Sequence, residues 1–240
     1  LADGREIIYV DEPGTAERTA EDPRPVEPRV QSGELRHDAL VDDWVAVAAH
    51  RQHRTFMPPK DECPLCPAGH GSVPSEIPER DYQVVVFENR FPSYAVTSVG
   101  ADVPDPTGIF GTRPAVGRCE VVCFTSNHES SFTDLPVERI RTVVDTWAQR
   151  TSELGALPEV EHVFAFENRG REIGVTLPHP HGQISAYPYV PERTRRLIAA
   201  AERHHARTGR LLGADLLAAE RADGSRIVAE GAHWTAYVPF

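Results

Sequence analysis

The residues from Phe164 to Tyr187 constrain this chain more than any other stretch. Phe164-Ala-Phe-Glu-Asn-Arg-Gly-Arg-Glu-Ile-Gly-Val-Thr-Leu-Pro-His-Pro-His-Gly-Gln-Ile-Ser-Ala-Tyr187 reads as a strand, a loop punctuated by Gly170 and Gly174, and a second strand opening at His179-Pro-His-Gly-Gln183. Side chains of an extended backbone alternate faces, so His179, His181 and Gln183 are expected to point the same way. Pro180 and Gly182 add little bulk to the opposite face, and Pro180, which lacks an N–H, suits a strand start or an edge. The loop 168–177 is placed to lend backbone N–H groups to an anionic ligand. A single histidine there would read as a core residue. Two imidazoles and a carboxamide on one strand face, beside a glycine loop, read as a polar site.

The rest of the chain supplies a frame for that site. Glu6–Val10 is a short strand, and the proline-rich, highly charged run Asp11–Pro28 reads as mobile surface chain. Gly33–Ala48 has the pattern of a hairpin turning near Val41-Asp-Asp43, followed by His50-Arg-Gln-His-Arg54. Arg51 and Arg54, three apart at the rim of a sheet, suit a phosphate clamp as well as they suit a solvated loop. A strand over Asp81–Pro92, ending in Asn89-Arg-Phe91, is followed by a Gly-, Pro- and Asp-rich loop to about Pro114 and by a further strand over Gly117–Glu129 that runs out into a turn carrying His128. The clearest helix spans Asp134–Gly155, capped by Asp134 or Thr133, with Pro136 in its first turn and an apolar stripe Val137, Ile140, Val144, Trp147, Thr151 and Leu154. Helices over Pro191–Thr208, with His204 and His205 read as solvated, and over Asp215–Ala222 precede two strands, Ser225–Glu230 and His233–Phe240. The last of these strands is apolar, and its face needs a partner.

Composition excludes several classes. Of 240 residues, 40% are hydrophobic and 25% charged, enough for a sizeable core. The net charge of −11, without a dense basic cluster, argues against nucleic acid as the main partner. No apolar run approaches the roughly 18 residues of a membrane span, and no signal-peptide pattern opens the sequence, so the expected location is cytoplasmic. In that compartment four cysteines point to thiols or metal ligands rather than disulfides.

Cys63-Pro-Leu-Cys66, flanked by prolines, forms a knuckle that lets two thiolates meet one tetrahedral zinc. Pro67-Ala-Gly-His-Gly71 argues against the long helix that a thioredoxin-like pair would start. Two completions compete. Cys119 and Cys123 would give a four-cysteine site, but both sit in an apolar strand. His128, just past that strand, with one histidine of the 179/181 pair would give Cys₂His₂, the preferred reading.

Pro178-His-Pro-His-Gly-Gln183, preceded by Phe166-Glu-Asn-Arg-Gly170, resembles the active-site signature of the galactose-1-phosphate uridylyltransferases, the transferase branch of the histidine-triad superfamily. The resemblance covers roughly residues 33 to 240. It implies an α+β fold, a histidine-triad-like antiparallel sheet packed by helices, with a mobile segment over 1–32, a first histidine-triad-like domain over 33–224, and 225–240 as the opening strands of a second repeat absent from this sequence. It also implies zinc on Cys63, Cys66, His128 and His179. His181 becomes the nucleophile that takes a uridylyl group from UDP-glucose and passes it to galactose 1-phosphate, so that UDP-sugars and hexose 1-phosphates are the ligands. Gln183 stands where the superfamily's hydrolases carry a third histidine; a carboxamide can bond a phosphoryl oxygen but cannot act as a base toward water. Asn89, Phe91, Asn168, Gly174, Thr176 and Gln183 resemble the contacts to uridine diphosphate, Phe87 a wall of the uracil pocket, and Arg51 and Arg54 the sugar-phosphate arginines. Thr176 replaces the usual serine and keeps its hydroxyl; Arg90 replaces a common aspartate. A homodimer, or pairing with a separately encoded C-terminal half, is the partner the resemblance implies. Two alternatives accompany it: a related phosphorylase or adenylyltransferase using ADP-glucose or a dinucleoside polyphosphate, and a zinc-stabilised nucleotide-binding subunit without turnover.

Overall fold

The computed structural model describes residues 1–15, 17–27, 33–53, 55–98 and 105–240. They fall into two compact units, Leu1–Tyr189 and Val190–Phe240. The boundaries read from the sequence, after residues 32 and 224, are not where this division lies.

The first unit is organised by a five-stranded antiparallel sheet. Its strands are β1 (Ile7–Val10), β4 (Val84–Glu88), β6 (Arg118–Cys123), β8 (His181–Tyr187) and β7 (His162–Phe166), in that spatial order. Valine-rich β4 and β6 occupy the interior, as strands covered on both faces should. The first face carries Val84, Val86, Val122, Ile184 and Ala186, packed on Val143 and Leu154 of α1 (Val137–Gly155) and on Phe124. Fully burying such aliphatic side chains contributes about 1.5–3 kcal/mol each. The opposite face carries Val85, Phe87, Val121 and Cys123, packed with the Cys63–Cys66 knuckle, Ile77 and Tyr82. The site described below lies on this second face.

Gly182 shows why the motif needs a glycine there. A Cβ at that position would meet Phe124 Cζ and the Phe166 carbonyl oxygen, each at 2.9 Å. Phe124 in turn packs edge-on against Phe132 and Trp147, with ring centroids 5.4 and 5.7 Å away. Absence of a side chain at 182 therefore lets β8 lie flat over an aromatic floor.

A second, three-stranded sheet has the order β3 (Asp43–Val47), β2 (Glu34–Asp38), β5 (Thr112–Pro114). The β2–β3 hairpin matches the expectation; β5, inside a stretch read only as a Gly-, Pro- and Asp-rich loop, does not. Leu35 of β2 is fully buried against Tyr94, Ala115 and Cys119.

Three local readings are corrected. Helix α1 begins after Pro136, which occupies the cap position without a side-chain cap, and Asp134 belongs to a preceding 3-10 turn, Phe132–Asp134. Its packed stripe is turned relative to the expected one: Val143 and Leu154 are buried with Ile140 and Trp147 against them, while Val137 and Val144 face solvent. The turn follows from Arg150, buried so that its guanidinium can bond both oxygens of Glu120 on the sheet, at 2.9 and 2.6 Å. His204 is not simply solvated, since its Nε2 pairs with Asp215 at 2.8 Å.

The run expected to be mobile carries anchors at its described residues. β1 pairs with the edge of β4, Arg18 pairs with Asp11 at 2.5 Å, and Arg24 is buried between Asp22 and Glu76.

In the second unit, α2 (Glu192–Thr208) packs with α3 (Leu212–Asp223), and β9 (Ile227–Glu230) pairs antiparallel with β10 (Thr235–Tyr237). Buried Glu220 accepts from Arg226 at 2.7 Å, joining α3 to the hairpin. No helix among the described residues is long and apolar enough to cross a membrane.

Candidate active site and metal centre

Two sites adjoin on the same sheet face. In the first, Cys63, Cys66, His128 and His179 bring one ligand atom each within 4.8 Å of one another, and all four residues are buried. A tetrahedral zinc, with bonds of about 2.0–2.3 Å, places its ligand atoms about 3.3–3.8 Å apart. Cys66 Sγ lies 3.3 Å from His128 Nδ1 and 3.5 Å from His179 Nδ1, within that spread. The hydrogen bonds around His179 select the ring nitrogen available to a metal. Its Nε2–H donates to the Thr125 carbonyl at 2.8 Å and faces the Tyr82 hydroxyl oxygen at 2.8 Å, while Tyr82 donates to the Leu65 carbonyl. Nδ1 then holds the lone pair, the arrangement seen when an outer partner orients a metal-ligating histidine. Burial pushes the Cys66 thiol up to about 12 and holds His179 down to about 3. A divalent cation among these groups would stabilise the thiolates that burial disfavours. The four residues therefore fit a closed Cys₂His₂ metal site. Cys119 and Cys123 stand outside it: Cys123 is fully buried in the core beside Tyr82, and Cys119 packs with Leu35 and Tyr94.

The second site is a cleft with a cavity volume of about 310 Å³. On β8 the burial alternates, with Gly182, Ile184 and Ala186 on the packed face and His181, Gln183 and Ser185 lining the cleft. His179 departs from the expected alignment with them. It precedes the strand, in a bend, and its ring enters the metal cluster instead. His181 Nδ1–H donates to the carbonyl of His179 at 2.7 Å, which leaves Nε2 as the unprotonated nitrogen presented to the cleft. Burial lowers the His181 pKa, and that backbone hydrogen bond opposes the shift.

The remaining candidates gather around the same cavity. Phe87 of β4 and Asn89 and Phe91 beyond it line one wall, with Asn89 Oδ1 accepting from the Phe91 N–H at 2.8 Å. Asn168, Gly174 and Thr176 line another. Gly174 has φ of +75°, a left-handed conformation that favours glycine, and the Thr176 carbonyl accepts from Met57 N–H at 2.7 Å, tying the loop to the chain at Met57. Arg51 lies in a 3-10 turn, Ala49–His53, and reaches the cleft while its guanidinium donates to the Phe91 carbonyl. Arg54 lies outside the described residues. Sequence reasoning passed over Ser185, which the period of two from His181 and Gln183 would have found. It also passed over Tyr82 and Glu76, for which only the tertiary structure supplies a signal; Arg90, noted in the sequence as a departure from the family pattern, lines the cleft.

Residues 18–191 match the family described as galactose-1-phosphate uridyl transferase, N-terminal domain. A galactose-1-phosphate uridylyltransferase from Streptomyces lividans is 48% identical over 242 residues, covering all of this chain and 62% of that protein. One from Thermotoga maritima is 38% identical, covering 86% of this chain and 62% of its own length. A solved uridylyltransferase structure superposes with a TM-score of 0.72 at 27% identity, over 86% of this chain and 62% of the other. An ADP-glucose phosphorylase from Arabidopsis thaliana, at 21% identity and a TM-score of 0.57, shares the fold alone. The chain spans about 62% of the length of these first two relatives. It belongs to the galactose-1-phosphate uridyl transferase family and carries that family's N-terminal domain.

Proposed function

We propose that this chain carries the nucleotidyl-transfer centre of a UDP-glucose–hexose-1-phosphate uridylyltransferase, with His181 as nucleophile. The observation that carries the reading is the imidazole of His181, held by its Nδ1–H on the His179 carbonyl so that Nε2 meets the cleft. Nε2 attacks the α-phosphorus of UDP-glucose; a P–N bond forms, the P–O bond to glucose 1-phosphate breaks, and glucose 1-phosphate leaves. A phosphate oxygen of galactose 1-phosphate then attacks the same phosphorus, breaks the P–N bond and departs as UDP-galactose. Attachment at Nε2 leaves a positively charged ring whose Nδ1–H still faces a carbonyl dipole, which stabilises the intermediate. Gln183, neighbouring His181 on the cleft face, donates to a phosphoryl oxygen without activating water.

Asn89, Phe91, Asn168, Gly174 and Thr176 would hold the uridine diphosphate, Phe87 would wall the uracil, and Arg51 with Arg54 would take the sugar phosphate. Cys63, Cys66, His128 and His179 would hold zinc, since two thiolates and two imidazoles suit that ion. Bound there, it would have no open position for Lewis-acid chemistry and would fix the chain entering β8. β9 and β10 are read as the opening strands of a second repeat. The partner reading is a homodimer or a separately encoded C-terminal half, in the cytoplasm.

Intact-protein mass spectrometry after incubation with UDP-glucose tests the central claim. One uridylyl group should add to the protein and be absent from His181→Asn. Absence of the adduct from both, with an adduct from ADP-glucose, would replace uridine by adenine in the reading.

A further inference from the structure

The buried arginines of the N-terminal segment converge on one carboxylate of the cleft wall. Glu76 lines the cleft with its side chain only 6% exposed. One of its oxygens accepts from Arg5; the other accepts from Arg24 at 3.0 Å and from Arg90 at 3.3 Å. Arg5 and Arg24 are buried too, and each is held by an acid of its own segment, Asp3 and Asp22, both at 2.7 Å. Arg5 also donates to the Glu88 carbonyl at the end of β4, at 2.9 Å. Apolar packing would tie down a chain segment without the cost of desolvating so many charges, so stability alone accounts poorly for this network.

Arg90 differs from the other two arginines. Its side chain is 49% exposed and lines the cleft. A guanidinium has five donors, and the hydrogen bond to Glu76 uses one. Strand register gives its distance from the chemistry. His181 stands opposite Cys123, and Cys123 opposite Val85; Arg90 lies five residues past Val85. Strand spacing and rise put the two backbones roughly 19 Å apart. With Phe87 and Asn89 on the same wall, Arg90 is at the nucleoside end of the cleft, remote from the reacting phosphorus.

We propose that the N-terminal segment is a working part of the nucleotide cleft: Arg5 and Arg24 hold Glu76, Glu76 orients Arg90, and Arg90 donates hydrogen bonds to oxygens of the bound nucleoside. Arg24 and Glu76 are positioning residues; Arg90 is the one that touches ligand. This inference rests on the reading of the cleft as a UDP-sugar site.

Calorimetric titration of the 240-residue chain with UDP tests it, using Arg90→Met, Arg24→Met and the double variant, with circular dichroism to confirm folding. Arg90→Met should weaken UDP binding about tenfold, the loss of one charge-assisted hydrogen bond. Arg24→Met should weaken it less, and the double variant should be no weaker than Arg90→Met alone. A merely structural role for Arg24 would not give that non-additivity. If Arg24→Met does not fold, Asp22→Asn, which loosens Arg24 without removing it, takes its place. Unchanged affinity in Arg90→Met, or losses that add in full, would overturn the inference and leave the UDP-sugar reading standing. A wild-type chain that does not bind UDP would remove both.

Discussion

His179 and His181 are the same residue type two positions apart, and they end in opposite tautomers. His179 is 1% exposed, gives Nε2–H to a backbone carbonyl and turns Nδ1 to the thiols. His181 gives Nδ1–H to a backbone carbonyl, the one belonging to His179, and turns Nε2 to the cleft. A single main-chain acceptor thus decides, for each ring, which nitrogen keeps its lone pair and what that nitrogen faces. The two sites are also mechanically joined. The carbonyl that orients the nucleophile belongs to the residue whose side chain enters the metal cluster, so anything that loosens the cluster should reach His181 through two residues of backbone.

The largest effect is expected from breaking the cluster. Cys63→Ser, or treatment with a strong chelator, should abolish metal binding and soluble folded protein together, because metal binding at closed sites contributes on the order of 10 kcal/mol. Metal content and circular dichroism check this; a folded, metal-free Cys63→Ser protein would show the cluster to be dispensable.

His181→Asn should do the reverse. The uridylyl adduct disappears while metal content is unchanged and stability shifts by no more than about 1 kcal/mol, since among the described residues its ring bonds the His179 carbonyl alone. Loss of metal in this variant would mean that the two histidines are not separable as their tautomers suggest.

Tyr82→Phe probes the second layer around His179. It removes the hydroxyl that faces Nε2 at 2.8 Å, leaving the Thr125 carbonyl in place. About 1 kcal/mol of stability and at least tenfold in metal affinity should be lost. Competition with a chromogenic chelator measures the affinity. The adduct yield at saturating metal should stay at the wild-type level.

The smallest change is expected from Cys119→Ser, which should keep the metal and lose about 1 kcal/mol or less. Loss of one metal equivalent would instead favour a four-cysteine site.

Much of this arrangement was legible in one dimension. Short-range spacing in the CxxC knuckle and the position of His128 after β6 pointed to three of the cluster's residues, whereas the choice of His179 over His181 and the cleft residues rested on the resemblance carried by the motif at 178–183. The strands β3, β4, β6 and β7 follow from runs of β-branched and aromatic residues, and β2 from the hairpin it forms with β3. Less legible were β5, three residues whose pairing with β2 is entirely non-local, and the rotation of α1, which a buried Arg150 sets against Glu120. An apolar-stripe argument assigns arginine to solvent and cannot anticipate a buried guanidinium.

The sequence by itself determined the chemical inventory and the local geometry. It supplied two thiols on one turn, two imidazoles and a carboxamide at a strand start, a glycine where β8 crosses Phe124, and a net negative charge that leaves phosphate recognition to a few arginines. Only the tertiary structure decided that the paired histidines part company, because the bend before β8 breaks the alternation that an extended strand would impose. It alone brought Arg5, Arg24 and Arg90, separated by up to 85 positions, onto Glu76. Spacing reports on contacts a few residues long, whereas a buried ion network depends on which distant segments the sheet brings together.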